Sequence, residues 1–95
     1  MIESITLINE DGTRADKLAS LRSIGQTEFY QAAATDYRPE KKYVLADYLD
    51  YNDEPYLMAG SDLYRIIRTY RAGQEMELTV GKASLEERRI YGKAD

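Results

Sequence analysis

Apolar and polar positions alternate along most of this chain, with one interruption. "IESITLIN" (Ile2–Asn9) alternates loosely and is rich in β-branched residues, so it predicts a strand. Asp11-Gly12 then signals a hairpin turn. "KLASLRSI" (Lys17–Ile24) fits two templates: Leu18, Leu21 and Ile24 keep a helical spacing, while Ala19, Leu21 and Ser23 alternate. A strand is favoured because it would pair back across the turn. "KYVLADYLDY" (Lys42–Tyr51) alternates with apolar residues on both faces, predicting a strand covered on both sides. "YLMAGSDLYRIIRTY" predicts a tight hairpin bending at Gly60-Ser61-Asp62, with Tyr64, Ile66, Arg68 and Tyr70 on one face of its second strand. Gly73 marks another turn, and "MELTV" (Met76–Val80) predicts a last strand.

The interruption is "SIGQTEFYQAAATDYRPE" (Ser23–Glu40), which predicts a short helix. Thr27 suits the N-cap, and Glu28 places a carboxylate at the positive end of the helix dipole. Phe29, Ala32 and Ala33 share a face. Pro39 disfavours a helical Arg38 and stops propagation. Such a helix of about two turns is marginal alone and needs a surface to pack on.

The pattern changes again after Val80. Ser84 and Glu87 match a capping box ahead of "LEERRIYG", with Gly92 as a stop. The segment 83–95 reads as a short charged helix or a frayed tail. The expected architecture is therefore mainly β: a small antiparallel barrel or sandwich over residues 1–82, one short helix or arm inserted at about 25–40, and a charged C-terminal extension. A domain this small is also expected to leave strand edges for a neighbour to cover.

Composition narrows the function classes. The chain has 95 residues, enough for one domain. It has no cysteine and no histidine, which excludes disulfides, thiolate metal sites and histidine-based nucleophile triads. The N-terminus carries an early acidic residue and does not read as a secretory leader. A net charge of -4 argues against a wholesale nucleic-acid binder.

Nine tyrosines are the loudest signal. Strand propensity accounts for them, and so does a protein interface, where tyrosine supplies contact area with a polar tip. Interleaved with Arg65, Arg68 and Arg71, they could also stack on single-stranded nucleic acid. The acidic run Asp47, Asp50, Asp53 and Glu54 lacks the form of a calcium loop and reads first as solvated charge. No glycine-rich phosphate loop is present. The carboxylates of the acidic run would suit acid–base work or a divalent ion, and a small metal- or carboxylate-dependent enzyme is the weakest of the readings.

One resemblance ties these pieces together. Ser23, Glu28, Phe29, Tyr30, Gln31 and Ala32, then Pro39, then Tyr64, Ile66, Arg68 and Tyr70, then Gly73, then Glu77, Leu78 and Thr79 stand in an order that resembles the phage head–tail joining proteins, the head-closure or stopper proteins of long-tailed bacteriophages. The likeness spans about residues 19–80. The part before Ser23 is shorter than is usual there, and the extension after Val80 is not a core family feature.

The resemblance implies a non-enzymatic virion protein at the head–tail interface, made in the bacterial host cytoplasm. It implies a ring of about twelve copies under the portal and its adaptor. That ring closes the DNA exit channel after packaging and offers a docking face to the tail terminator or tail tube. On this likeness, Glu28, Phe29, Tyr30, Gln31, Asp36, Tyr37, Arg38 and Tyr48 are the expected interface or channel-arm residues. Tyr64, Arg68 and Tyr70 form the strand and hairpin motif. The alternative is a small β-barrel module that binds single-stranded nucleic acid.

Overall fold

β1 (Ile2–Ile8) and β2 (Arg14–Arg22) form the first antiparallel pair, joined by a turn in which the Asn9 carbonyl accepts from the Gly12 N–H at 2.9 Å. The strand reading of the second segment holds, and the helical alternative does not. Its start lies three residues earlier than expected. β3 (Pro39–Leu45), β4 (Tyr56–Ala59), β5 (Asp62–Ala72) and β6 (Glu75–Lys82) complete the set. The structure is a computed structural model describing residues 1–26 and 37–92. Its strands close into a barrel in the order β1-β2-β3-β6-β5-β4, every pair antiparallel. The mainly β architecture is as expected, in its barrel form.

Closure narrows one expectation. β1 pairs with β4 through Leu7 opposite Leu57, so the sheet has no first or last strand. The seams are short, however. β2 meets β3 only over Ser20–Arg22 and β5 meets β4 only over Asp62–Arg65, so Ala15–Ala19 of β2 and Arg68–Ala72 of β5 have a strand partner on one side alone among the described residues.

The two faces follow from strand period. Ile5 and Leu7, Ala19, Tyr43 and Leu45, Leu57, Tyr64 and Ile66, and Leu78 and Val80 all point inward and form one buried cluster. Cross-strand partners share a face, so Leu21 opposite Tyr43 and Tyr43 opposite Leu78 layer the interior. A second cluster lies on the outer wall. Ile8, Tyr56, Met58, Leu63 and Ala83 are buried there, with Tyr91 packed against them. That is why all four residues of β4 are buried: its two faces serve the two clusters.

Two strand expectations are corrected. The strand expected at Lys42–Tyr51 instead runs Pro39–Leu45. Leu45 pairs with Met76, at the start of β6, so the ladder has almost no partner left beyond it. Asp47 then caps a 3-10 turn, Tyr48–Asp50, by accepting from the Leu49 N–H at 3.0 Å. Pro39 opens the strand, a place where its missing N–H is tolerated, and the ladder is irregular between Pro39 and Lys41. Two-sided burial does hold from Lys42 to Leu45, and the single chain supplies it.

The second correction concerns β5. The register shifts between Ile66 and Arg68, leaving Ile67 as the extra residue of a bulge. Tyr64 and Ile66 face inward. Arg68 pairs with Thr79 and Tyr70 with Glu77, on the outer wall. The four residues Tyr64, Ile66, Arg68 and Tyr70 therefore do not share a face.

The C-terminal segment is folded. The capping box is present: the Glu87 N–H donates to Ser84 Oγ at 3.1 Å, and Glu87 Oε1 accepts from the Ser84 N–H at 2.8 Å. The helix, α1 (Leu85–Tyr91), ends where the Gly92 N–H donates to the Arg88 carbonyl at 2.9 Å. It starts at the barrel end where β6 finishes and lies over the outer cluster. It is not a frayed tail.

Three tyrosines, Tyr43 and Tyr56 buried and Tyr51 half-buried, anchor the fold through their hydroxyls. Tyr43 donates to Glu3 Oε1 at 3.1 Å, Tyr51 to the Glu54 carbonyl at 2.8 Å, and Tyr56 to Glu87 Oε2 at 2.8 Å. Burial raises all three phenol pKa values, and neighbouring carboxylates raise them further; Tyr51 and Tyr56 are pushed up to about 12. A phenol whose folded pKa exceeds its unfolded value of about 10 favours the native state while it stays protonated. That contribution is whole below pH 10 and is lost as the pH climbs toward 12. We expect urea midpoints to fall steeply over this window. Tyrosinate absorbance should show a late-titrating fraction that ionises together with unfolding. If all tyrosines ionise near pH 10 in the folded protein, the three bonds are not as described.

Candidate assembly surface

The chain leaves β2 at Arg22, and β3 begins at Pro39; between them residues 23–26, Tyr37 and Arg38 are described. Among the expected interface residues, Glu28, Phe29, Tyr30, Gln31 and Asp36 lie outside the described residues, as does the helix expected there. The foot of this connection, Tyr37 and Arg38, is described. Tyr37 is part-buried, and its hydroxyl lies 3.0 Å from both carboxylate oxygens of Glu87. Arg38 is exposed, but its carbonyl oxygen packs over Gly81 on the outer wall.

Glu87 is the polar centre of this surface. Besides Tyr37, its carboxylate accepts from Tyr56 on β4 and from the Ser84 N–H, and Arg65 Nη1 on β5 approaches to 3.9 Å. Burial alone would raise its pKa. The Ser84 N–H and the two phenols outweigh that and hold the carboxyl below its ordinary range. Arg65 also lies over the Tyr56 ring at 5.1 Å, and Tyr91 stacks on Tyr56 with centroids 4.4 Å apart. Tyr91 donates to the Glu10 carbonyl at 3.0 Å, and Arg14 Nη2 donates to the Tyr91 carbonyl at 3.0 Å. These contacts join α1 to three parts of the chain far apart in sequence. The capping box made Glu87 readable as a helix residue. Its bonds to Tyr37 and Tyr56 left no trace in the sequence pattern.

The remaining predicted residues are not brought together with this foot. Tyr48 sits at the opposite barrel end, under the Arg71 guanidinium at 3.4 Å from its ring centroid. Gln74 ties the same corner by accepting from the Tyr48 N–H at 2.7 Å and donating to Asp47 Oδ1 at 2.8 Å. Tyr64 is a core residue, with Lys41 Nζ 5.3 Å from its ring centroid. Arg68 and Tyr70 lie on the outer wall, Tyr70 being 53% exposed.

The acidic run has structural employment. Asp47 caps the 3-10 turn, Asp50 lies 3.7 Å from Lys17 Nζ, and buried Glu54 accepts from the Asn52 N–H at 2.6 Å. Among the described residues no group of three or more acidic, cysteine or histidine side chains could hold a metal ion.

Two hollows complete the surface. A polar cavity of 310 Å³ lies between α1 and the barrel, lined by Glu40, Asp62, Tyr64, Lys82 and Arg88. An apolar groove of 210 Å³ runs across β1, β2 and β3, lined by Ile2, Leu18, Val44 and Ala46, with Ile2 and Leu18 about 70% and 69% exposed. The chain matches no family model, no curated protein and no solved structure. Chemically, the surface offers hydrogen bonding, stacking and apolar contact.

Proposed function

We propose that the chain is a structural subunit of a phage head–tail junction, a head-closure protein that forms a ring below the portal and adaptor. The ring would close the DNA exit channel and dock the tail. The observation that carries this reading is the closed six-stranded barrel, which is the small-barrel part of what the resemblance implies. The arm it also implies falls on residues 27–36, outside the described residues. Self-association has two kinds of described surface to use: the one-sided strand stretches Ala15–Ala19 and Arg68–Ala72, and the exposed side chains of Ile2, Leu18 and Tyr70.

The test is to mix the purified chain with portal–adaptor complexes and image for an added ring. Replacing both Phe29 and Tyr30 by alanine is expected to leave the circular dichroism of the barrel intact and to abolish the added layer. Loss of the fold in that variant would make the segment a core element and remove the arm from the proposal.

One observation favours a second reading. The β5 bulge places Arg65, Arg68 and Tyr70 on the same outer wall, a cation–aromatic strip of the kind that stacks on single-stranded nucleic acid. A gel shift that weakens with added salt would support it.

A further inference from the structure

Helix α1 is poorly anchored by packing. It has seven residues and none is buried. A helix of that length does not hold itself together in water. Yet it covers an apolar wall of Ile8, Tyr56, Met58 and Leu63 that is almost fully shielded from solvent. The polar cavity alongside it shows that one flank is not packed at all. Its attachment therefore falls to a few side chains, chiefly Glu87 and Tyr91.

Glu87 binds in three directions. It closes the helix's own cap through Ser84, grips the barrel through Tyr56 and Arg65, and holds Tyr37 at the foot of the 23–38 connection. A carboxylate that accepts several donors at once positions each of them for the others, so losing one donor weakens the rest. Tyr37 makes this bond only one position before Arg38, whose carbonyl packs on Gly81. A displacement of the connection would be felt first at this foot.

We propose that Glu87 is a latch that couples Tyr37, just ahead of β3, to the C-terminal helix. Pulling Tyr37 off the carboxylate loosens α1, and loosening α1 frees Tyr37, because coupling of this kind is reciprocal. Release of α1 uncovers the apolar wall beneath it. In an assembling ring, a neighbour that draws Tyr37 away would thereby change the outer wall of this subunit. The ring part rests on the function proposed above. The coupling itself belongs to the free chain and can be tested there, so its failure and the failure of ring addition are separate results.

The experiment compares Tyr37→Phe and Glu87→Gln in the full chain by amide exchange. The reporters are the Arg88 and Gly92 N–H groups, bonded within the C-terminal helix, and the Ile66 N–H, bonded to the Pro55 carbonyl in the barrel. Tyr37→Phe keeps the ring and removes only the hydroxyl. It should speed exchange at Arg88 and Gly92 by roughly tenfold, the loss of one charge-assisted hydrogen bond, and leave Ile66 unchanged. Glu87→Gln should do more and should raise binding of an apolar dye. Unchanged Arg88 and Gly92 exchange in Tyr37→Phe would overturn the coupling. Faster exchange at all three reporters would also overturn it, since Glu87 would then support the whole barrel.

Discussion

Tyr43→Ala should destabilise the protein by about 3–5 kcal/mol, the range for removing a fully buried aromatic ring from a core. Tyr43 is 0% exposed and stands inside the barrel, opposite Leu21 on one side and Leu78 on the other. Total stabilities of domains are about 5–15 kcal/mol, so this one change consumes much of the margin. A barrel cannot readily collapse onto the vacancy, because its strands are fixed by ladders on both sides. The measurement is a urea unfolding curve followed by circular dichroism. Tyr43→Phe separates the hydroxyl from the ring and should cost only about 1 kcal/mol, the net value of the bond to Glu3. If Tyr43→Ala costs no more than Tyr43→Phe, the ring is not the core element described.

Gly81→Ala is the second large effect, and its sign is unusual. In an ordinary strand, replacing glycine by alanine favours folding by about 0.5–1 kcal/mol, because glycine loses more freedom. Gly81 has no positive φ that would demand glycine. What it lacks is space. A Cβ there would meet the Arg38 carbonyl oxygen well inside contact distance and Ile67 Cδ1 at 2.8 Å. The isoleucine can move, but the carbonyl is backbone and cannot do so without shifting Pro39 and the start of β3. We expect a loss of about 2–3 kcal/mol, in the range of overpacked sites. Ile67→Ala in the same background should recover little, since the backbone contact remains. Full recovery would show that the side chain, not the arm foot, sets the limit.

The two sites illustrate how unevenly the sequence speaks. The inward face of β6 could be read residue by residue, because Met76, Leu78 and Val80 alternate strictly with Glu77 and Thr79. β1 alternates only loosely, with Ile2 and Ile8 on the other face from Ile5 and Leu7, and its inward face was not legible. The capping box at Ser84 and Glu87 was equally clear, because it is a local exchange of bonds over three residues. Tyr43 was readable as a strand residue, though the strand's limits were not. Nothing local distinguishes Lys42–Leu45 from Ala46–Tyr51; the absence of a β6 partner beyond Met76 ends the strand. The bulge at Ile67 was invisible for a similar reason. "YRIIRTY" alternates well on its own, and only the fit against β6 inserts the extra residue. One inserted residue was enough to send Tyr64 to the core and Tyr70 to the outer wall.

The candidate surface follows the same division. By itself the sequence determined the strand content, the main turns, the capping signal at Ser84 and Glu87 and the break in pattern at residues 23–40, all set by neighbours a few positions apart. That the C-terminal segment is a helix and not a frayed tail was decided by the structure. Closure of the barrel came from pairing β1 with β4 across some fifty residues. The close approach of Arg38 to Gly81 came from the β3–β6 pair, and the gathering of Tyr37, Tyr56, Arg65 and Ser84 around Glu87 from where the C-terminal helix meets the barrel. Contacts of that kind depend on where folded elements meet in space. A linear pattern carries the period of each strand and helix but not the distance between them, so only the tertiary structure could decide which tyrosines are core, which are surface, and which one reaches the carboxylate.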